Sequence, residues 1–147
     1  MRNMNAAILA PVLLVMAAKP SPAGDRLSGT WLTENRDSHV QFQPCESFDC
    51  GRIVWLENEI DPETGKAWTD KFNPDAILKS KPLKGLVFIS GLKNVTPGYW
   101  EGDLYNPRDG RTYSGSFRQQ GPDQLELKGC ALFGMICQSE LWTRVTP

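Results

Sequence analysis

The chain has 147 residues, of which 40% are apolar and 22% charged, and its formal net charge is −1. That near-neutral balance excludes a nucleic-acid or anionic-membrane binder working through bulk positive charge, and a single histidine, His39, excludes a multi-histidine metal centre. The length is that of one domain, and 13 glycines with 11 prolines predict many turns and short strands.

At the amino terminus Arg2 precedes an uncharged stretch, residues 6–18, dominated by Ala, Leu, Val and Met and followed by Ser21-Pro22-Ala23. A stretch this short does not span a bilayer, which takes about 20 residues. A positive start, a short apolar centre and a small-x-small exit are the parts of a secretory signal peptide. The expectation is a signal peptide over residues 1–23, cleaved after Ala23, with Ala18 as the alternative, and a single domain over residues 24–147. Removing residues 1–23, with Arg2 and Lys19 among them, leaves 124 residues at a net charge near −3. The protein is expected to be exported and periplasmic, with no stable membrane insertion.

From Gly29 onward short apolar or alternating runs are separated by turn residues, the pattern of an antiparallel all-β protein. Eight strands are expected: residues 30–33, 39–43, 52–56, 86–92, 98–105, 111–119, 124–130 and 139–145. The alternation of Tyr113, Gly115 and Phe117 with Ser114, Ser116 and Arg118 puts one face inside and the other in water. Two turns share a pattern, Asp61-Pro62-Glu63-Thr64-Gly65 and Asn106-Pro107-Arg108-Asp109-Gly110, each with an aromatic residue, Trp68 or Tyr113, three positions after the glycine. Proline sets the first turn angle and glycine accepts the positive φ. One short helix is predicted over residues 73–79: Asn73 at its cap, Pro74 at its first position, Asp75 near its positive end and Lys79 near its negative end.

Four cysteines form two close pairs, Cys45 with Cys50 and Cys130 with Cys137. An even count in an exported chain reads as disulfides. Of three connectivities the near-neighbour one is favoured, because each pair flanks a plausible turn. Tetrathiolate zinc is the competing reading, but such sites usually have two-residue gaps.

With these strands placed, an ordered motif set stands out. It runs Gly29-Thr30-Trp31, Cys50-Gly51-Arg52-Ile53-Val54-Trp55-Leu56, Asp70 with Asn73-Pro74, and Pro82-Leu83-Lys84-Gly85-Leu86. It continues through Trp100-Glu101-Gly102-Asp103-Leu104-Tyr105-Asn106-Pro107 and Asp109-Gly110-Arg111-Thr112-Tyr113 to Gly129, Phe133-Gly134 and Trp142-Thr143-Arg144. This set resembles the DUF2147 family of small exported bacterial proteins over nearly the whole mature chain. The family has no established biochemical function, so the resemblance implies fold and compartment rather than an activity. Lys84 departs from its pattern, which usually has an apolar residue or cysteine there. A second, weaker resemblance is to lipocalin-like barrels, whose Gly-x-Trp first strand and returning arginine correspond here to Gly29-x-Trp31 and Arg144. That resemblance implies that Trp31 and Arg144 close one end of a barrel, an indole face attracting a guanidinium. The expected fold is a small antiparallel lipocalin-like β-barrel.

No catalytic constellation emerges. His39 has no Gly-x-Ser-x-Gly elbow to serve, and Glu57, Glu59, Asp61, Asp70, Asp103 and Asp109 mostly sit in turns, which makes a carboxylate-based hydrolase the weakest reading. No phosphate-binding Gly-x-x-x-x-Gly-Lys is present. No catalytic residue, metal or cofactor is expected. An eight-strand barrel is either filled by its side chains or holds one small ligand. Trp55, Trp100, Tyr105, Tyr113 and Phe117 are the candidate ligand-binding residues. Two readings follow: a filled barrel acting as an interaction or envelope-stress module, whose partner is another envelope protein, and a carrier of a small apolar ligand. No motif specifies the oligomeric state.

Overall fold

The computed structural model describes residues 26–146. The predicted signal peptide and both of its cleavage sites lie outside the described residues. Eight strands close an antiparallel barrel: β1 (Gly29–Leu32), β2 (Ser38–Cys45), β3 (Phe48–Leu56), β6 (Val87–Thr96), β7 (Tyr99–Asn106), β8 (Arg111–Gly121), β9 (Gln124–Ala131) and β10 (Ile136–Arg144). Around the barrel the order is β1-β10-β9-β8-β7-β6-β3-β2, and a two-stranded hairpin of β4 (Ile60–Asp61) and β5 (Lys66–Ala67) stands apart. Every barrel neighbour except the pairs β1·β10 and β3·β6 is also a neighbour in sequence, as hairpin turns dictate.

Alternation decides what lies inside. Trp100 pairs with Phe117, Gly102 with Gly115 and Leu104 with Tyr113 across β7 and β8, so these six share the inner face, while Glu101, Asp103 and Ser116 take the other. The core joins Leu27, Trp31, Val40, Phe42, Ile89, Leu92, Trp100, Leu104, Phe117, Leu125, Leu127 and Trp142. The Phe117 ring meets those of Phe42 and Trp142 edge-on, at centroid distances of 5.4 and 6.1 Å, an arrangement that aligns ring edges with ring faces.

Both cysteine pairs are disulfides between near neighbours. Cys45–Cys50 spans the β2–β3 turn with its Cα atoms 5.7 Å apart, and Cys130–Cys137 joins directly opposed residues of β9 and β10 with 4.1 Å between Cα atoms. No cysteine is left to hold zinc. The first pair draws β3 into a tight hairpin, so that strand starts at Phe48, earlier than the sequence pattern indicates.

The predicted helix over residues 73–79 does not form; that segment is a series of turns. Side-chain competition explains this. Asn73 Oδ1 accepts from the Asp75 N–H at 2.9 Å and Asp75 Oδ1 from the Ile77 N–H at 2.9 Å, Asx turns that give the backbone an alternative to helical bonds. Ile77 is 80% exposed, so no buried stripe rewards a helix either. The helical geometry among the described residues is a single 3-10 turn, Leu132–Gly134, at the tip of the β9–β10 hairpin.

The two turns that share a sequence pattern also share a geometry. The Gly65 and Gly110 N–H groups donate to the Asp61 and Asn106 carbonyls at 2.8 Å in each case, with φ of 66° and 71°. The second is packed as well as bent: a Cβ on Gly110 would lie 1.9 Å from the Phe72 carbonyl oxygen, so glycine is required there.

Candidate functional site

The two ends of the barrel are built differently. One end gathers the start of β1 and the turns β2–β3, β6–β7 and β8–β9. Here Trp31 is wholly buried, its indole N–H donating to the Ser28 carbonyl at 3.1 Å. The Arg144 guanidinium lies 4.3 Å from the Trp31 ring centroid, and the register sets these two residues opposite each other on β1 and β10. Arg144 Nε also donates to the Pro122 carbonyl at 2.8 Å. At Gly29 φ is +91°, and a Cβ would come within 2.6 Å of the Arg144 guanidinium, which is the steric reason for glycine two residues before the tryptophan. Leu27 seals the floor, and Arg26 pairs with the buried carboxyl of Asp49 at 3.1 Å.

Above that floor the interior is occupied. Leu104 leans over the neighbouring strands β8 and β9: a Cβ on Gly115 would sit 2.5 Å from its Cγ, and one on Gly129 3.4 Å from its Cδ1. Ile89 covers Gly51 in the same way, at 2.7 Å. Gly102, Gly115 and Gly129 form a row across β7, β8 and β9, and that row leaves room for Leu104, Leu92 and the rings below. Two concavities among the described residues are partly open to solvent. One, of about 240 Å³, lies at the closed end beside Arg26, Ser28, Trp100 and Arg144; the other, of about 190 Å³, lies on the outer wall between Tyr99, Arg118 and Glu126.

The other end gathers the turns β1–β2, β7–β8 and β9–β10 and the long connection between β3 and β6. That connection is pinned by a buried polar knot. Asp70 is wholly buried; it accepts from the Tyr105 hydroxyl at 2.7 Å and from the Asn73 amide at 2.7 Å, and its N–H donates to the Lys81 carbonyl at 2.9 Å. Burial first, and the Asp70 carboxyl second, push the Tyr105 hydroxyl up to about 12. Beside it the Tyr113 hydroxyl donates to Asp109, which raises the Tyr113 pKa. Desolvation acts to raise the Asp109 carboxyl, but hydrogen bonds from Tyr113 and the Arg111 N–H outweigh it and hold it below the ordinary range. Arg108 on the β7–β8 turn reaches Asp37 on the β1–β2 turn at 3.1 Å, from the opposite side of the mouth. On the β10 wall the inner face turns polar: Glu140 and Gln138 stand opposite Leu127 and Gly129, and Gln138 is exposed.

The candidate ligand-binding residues are therefore not gathered into one site. Trp100 and Phe117 are core, Tyr113 is at the mouth, and Tyr105 sits on the face opposite Trp100. Trp55 stacks on His39 at a centroid distance of 4.4 Å. The Asp70 knot escapes a residue-by-residue reading, because Tyr105 lies 35 residues away in the chain; its one signal is that both of its ends fall in the ordered motif set. Among the described residues no group of three or more His, Cys, Asp or Glu side chains is arranged to hold a metal ion, and no helix is long and apolar enough to cross a membrane.

Comparison with known proteins agrees with this geometry. No curated protein matches the chain. Among solved structures it is similar to Protein HP1028 from the human pathogen Helicobacter pylori, described as belonging to the lipocalin family, with 26% identity over 82% of this chain and 84% of that one and a TM-score of 0.68. Residues 29–144 match the family model described as an uncharacterized protein conserved in bacteria, DUF2147. The chain thus belongs to the DUF2147 family and has a lipocalin-like barrel fold.

Proposed function

We propose that this protein is an exported, periplasmic barrel whose interior is filled by its own side chains, and that it works as a non-enzymatic interaction or envelope-stress module through its outer surface. One observation carries the reading: Leu104 and Ile89 lie directly on Gly115 and Gly51, over a layer in which Trp31, Phe117 and Trp142 are at most 1% exposed. Side chains so placed occupy the volume a carried molecule needs, since drug-sized ligands take pockets of roughly 300–1,000 Å³. Two disulfides support export, because such bonds persist in oxidising compartments. The partner on this reading is another envelope protein.

A second reading, a carrier of a small apolar ligand, draws on the lipocalin-like fold and on the mouth, where Tyr113 and Gln138 flank the glycine row. Of the five candidate ligand residues it retains Tyr113 as the one placed to meet a guest without dismantling the core. Native mass spectrometry of the protein from a periplasmic fraction, with tryptophan emission followed across a panel of fatty acids, tests the choice. A filled barrel shows no added mass and no saturable change in emission; a bound mass together with a saturable change would establish the carrier instead.

A further inference from the structure

Beyond the barrel mouth the β9–β10 hairpin projects with one side uncovered. Strand β1 reaches only Thr143 and Arg144 of β10, so the stretch Ile136–Leu141 has β9 on one side and no strand on the other. The Val145 N–H donates toward β1, to the Thr30 carbonyl, and the Arg144 N–H toward the β8–β9 turn, to the Asp123 carbonyl. Period 2 then turns the amides of Leu141, Ser139 and Cys137 to the uncovered side. The Leu141 N–H is capped by the Glu34 carboxylate at 3.4 Å; those of Ser139 and Cys137 are left facing outward. The hairpin tip is apolar and in water: Leu132 is 61%, Met135 82% and Ile136 57% exposed, and Phe133 is fully so. No charged residue occurs from Gly129 to Ser139, although charge is the usual protection of a free edge.

We infer that the uncovered β10 edge is a docking strand for a second copy of this chain, joined antiparallel about a two-fold axis at Gln138. Outward backbone donors and acceptors call for an extended strand; lipid would leave them unsatisfied at a cost of several kcal/mol per group. The strand is self-complementary in that register. Ser139 exchanges backbone hydrogen bonds with Cys137 of the second copy, Glu140 falls opposite Ile136 rather than opposite another Glu140, and Met135 falls opposite the part-exposed Leu141. Like charges are kept apart and the exposed Met135 and Ile136 each gain a partner side chain, which favours the cross-strand pairing. Glu34 ends the pairing at Leu141, which keeps the contact closed and pairwise. The Cys130–Cys137 disulfide holds the projecting hairpin in one shape before docking, which lowers the entropy lost on association. This inference is independent of whether the barrel is filled.

Sedimentation velocity from micromolar to millimolar protein, run beside hydrogen exchange, tests it. A concentration-dependent dimer is expected, with exchange slowing at the Cys137 and Ser139 amides as dimer forms and unchanged at Leu141. Ser139→Pro, which removes an outward N–H, and Met135→Ser, a change at a solvated side chain that leaves the core intact, are each expected to weaken dimerisation about tenfold or more, equivalent to about 1.4 kcal/mol. A monomer throughout the range overturns the inference. So does a dimer in which neither amide is protected and Met135→Ser has no effect, since another surface would then hold it. Binding of monomer to zwitterionic or anionic vesicles without self-association overturns it in favour of lipid.

Discussion

The closed end and the mouth of this barrel solve one problem by opposite means. At the closed end Trp31, Phe117 and Trp142 exclude water by volume, and a single cation, Arg144, caps the outermost ring. At the mouth the polar knot of Asp70, Asn73 and Tyr105 and the Arg108–Asp37 pair hold the connecting loops in place by directed polar contacts. Apolar burial is non-directional and scales with area, so the closed end tolerates small shifts. A buried carboxyl depends on each donor, so the mouth is specified residue by residue. Substitutions at the two ends should therefore differ in kind as well as in size.

The largest effect is expected at the closed end. Trp142→Ala removes a ring packed against Phe42 and Phe117 and should cost about 3–5 kcal/mol, read by urea unfolding; a cost below about 1 kcal/mol would mean that this end is not the core. Removing the Cys130–Cys137 link as a double serine variant should cost about 2 kcal/mol by the chain-entropy estimate for so short a loop, seen as a lower thermal midpoint that reductant no longer changes at that pair.

Tyr105→Phe tests the mouth. It leaves Asp70 short of a donor, at a cost of about 1–3 kcal/mol, and it should alter the alkaline limb of stability. Because Tyr105 is pushed up to about 12 in the fold, the stability it contributes is complete below the unfolded value near 10 and is lost as pH rises from there through about 12. The wild type should lose stability across that window and Tyr105→Phe should lose less; identical pH profiles would place the knot outside the folding balance. Gly115→Ala puts a methyl group into Leu104 and should cost about 1–3 kcal/mol by overpacking, partly restored by Leu104→Ala in the double variant. Arg108→Ala breaks an exposed pair and should cost at most about 1 kcal/mol, vanishing in high salt.

How far the sequence reveals this depends on the range of each interaction. Period 2 and turn chemistry are local, so Tyr113, Gly115 and Phe117 disclose their strand, and two matching Pro-x-x-Gly turns disclose their hairpins. The cysteine pairing is nearly as local, since each pair closes a turn. The helix expectation over residues 73–79 fails because Asn73 and Asp75 serve caps and Asx turns equally well, and the choice falls to burial, which only the fold supplies. The site is less legible. Tyr105 reads as an inward-facing ligand contact until the strand register turns it outward onto Asp70, and Leu104 shows no sign of filling the barrel until three glycines on three strands are seen side by side.

The central claim is that the interior is occupied by Leu104, Ile89 and the rings below them. Methyl-detected NMR titration with a medium-chain fatty acid tests it most directly, because these methyl groups would be the first to meet a guest. The account predicts no saturable shift at Leu104, Ile89 or Leu125; saturable shifts at all three, with one dissociation constant, would contradict it.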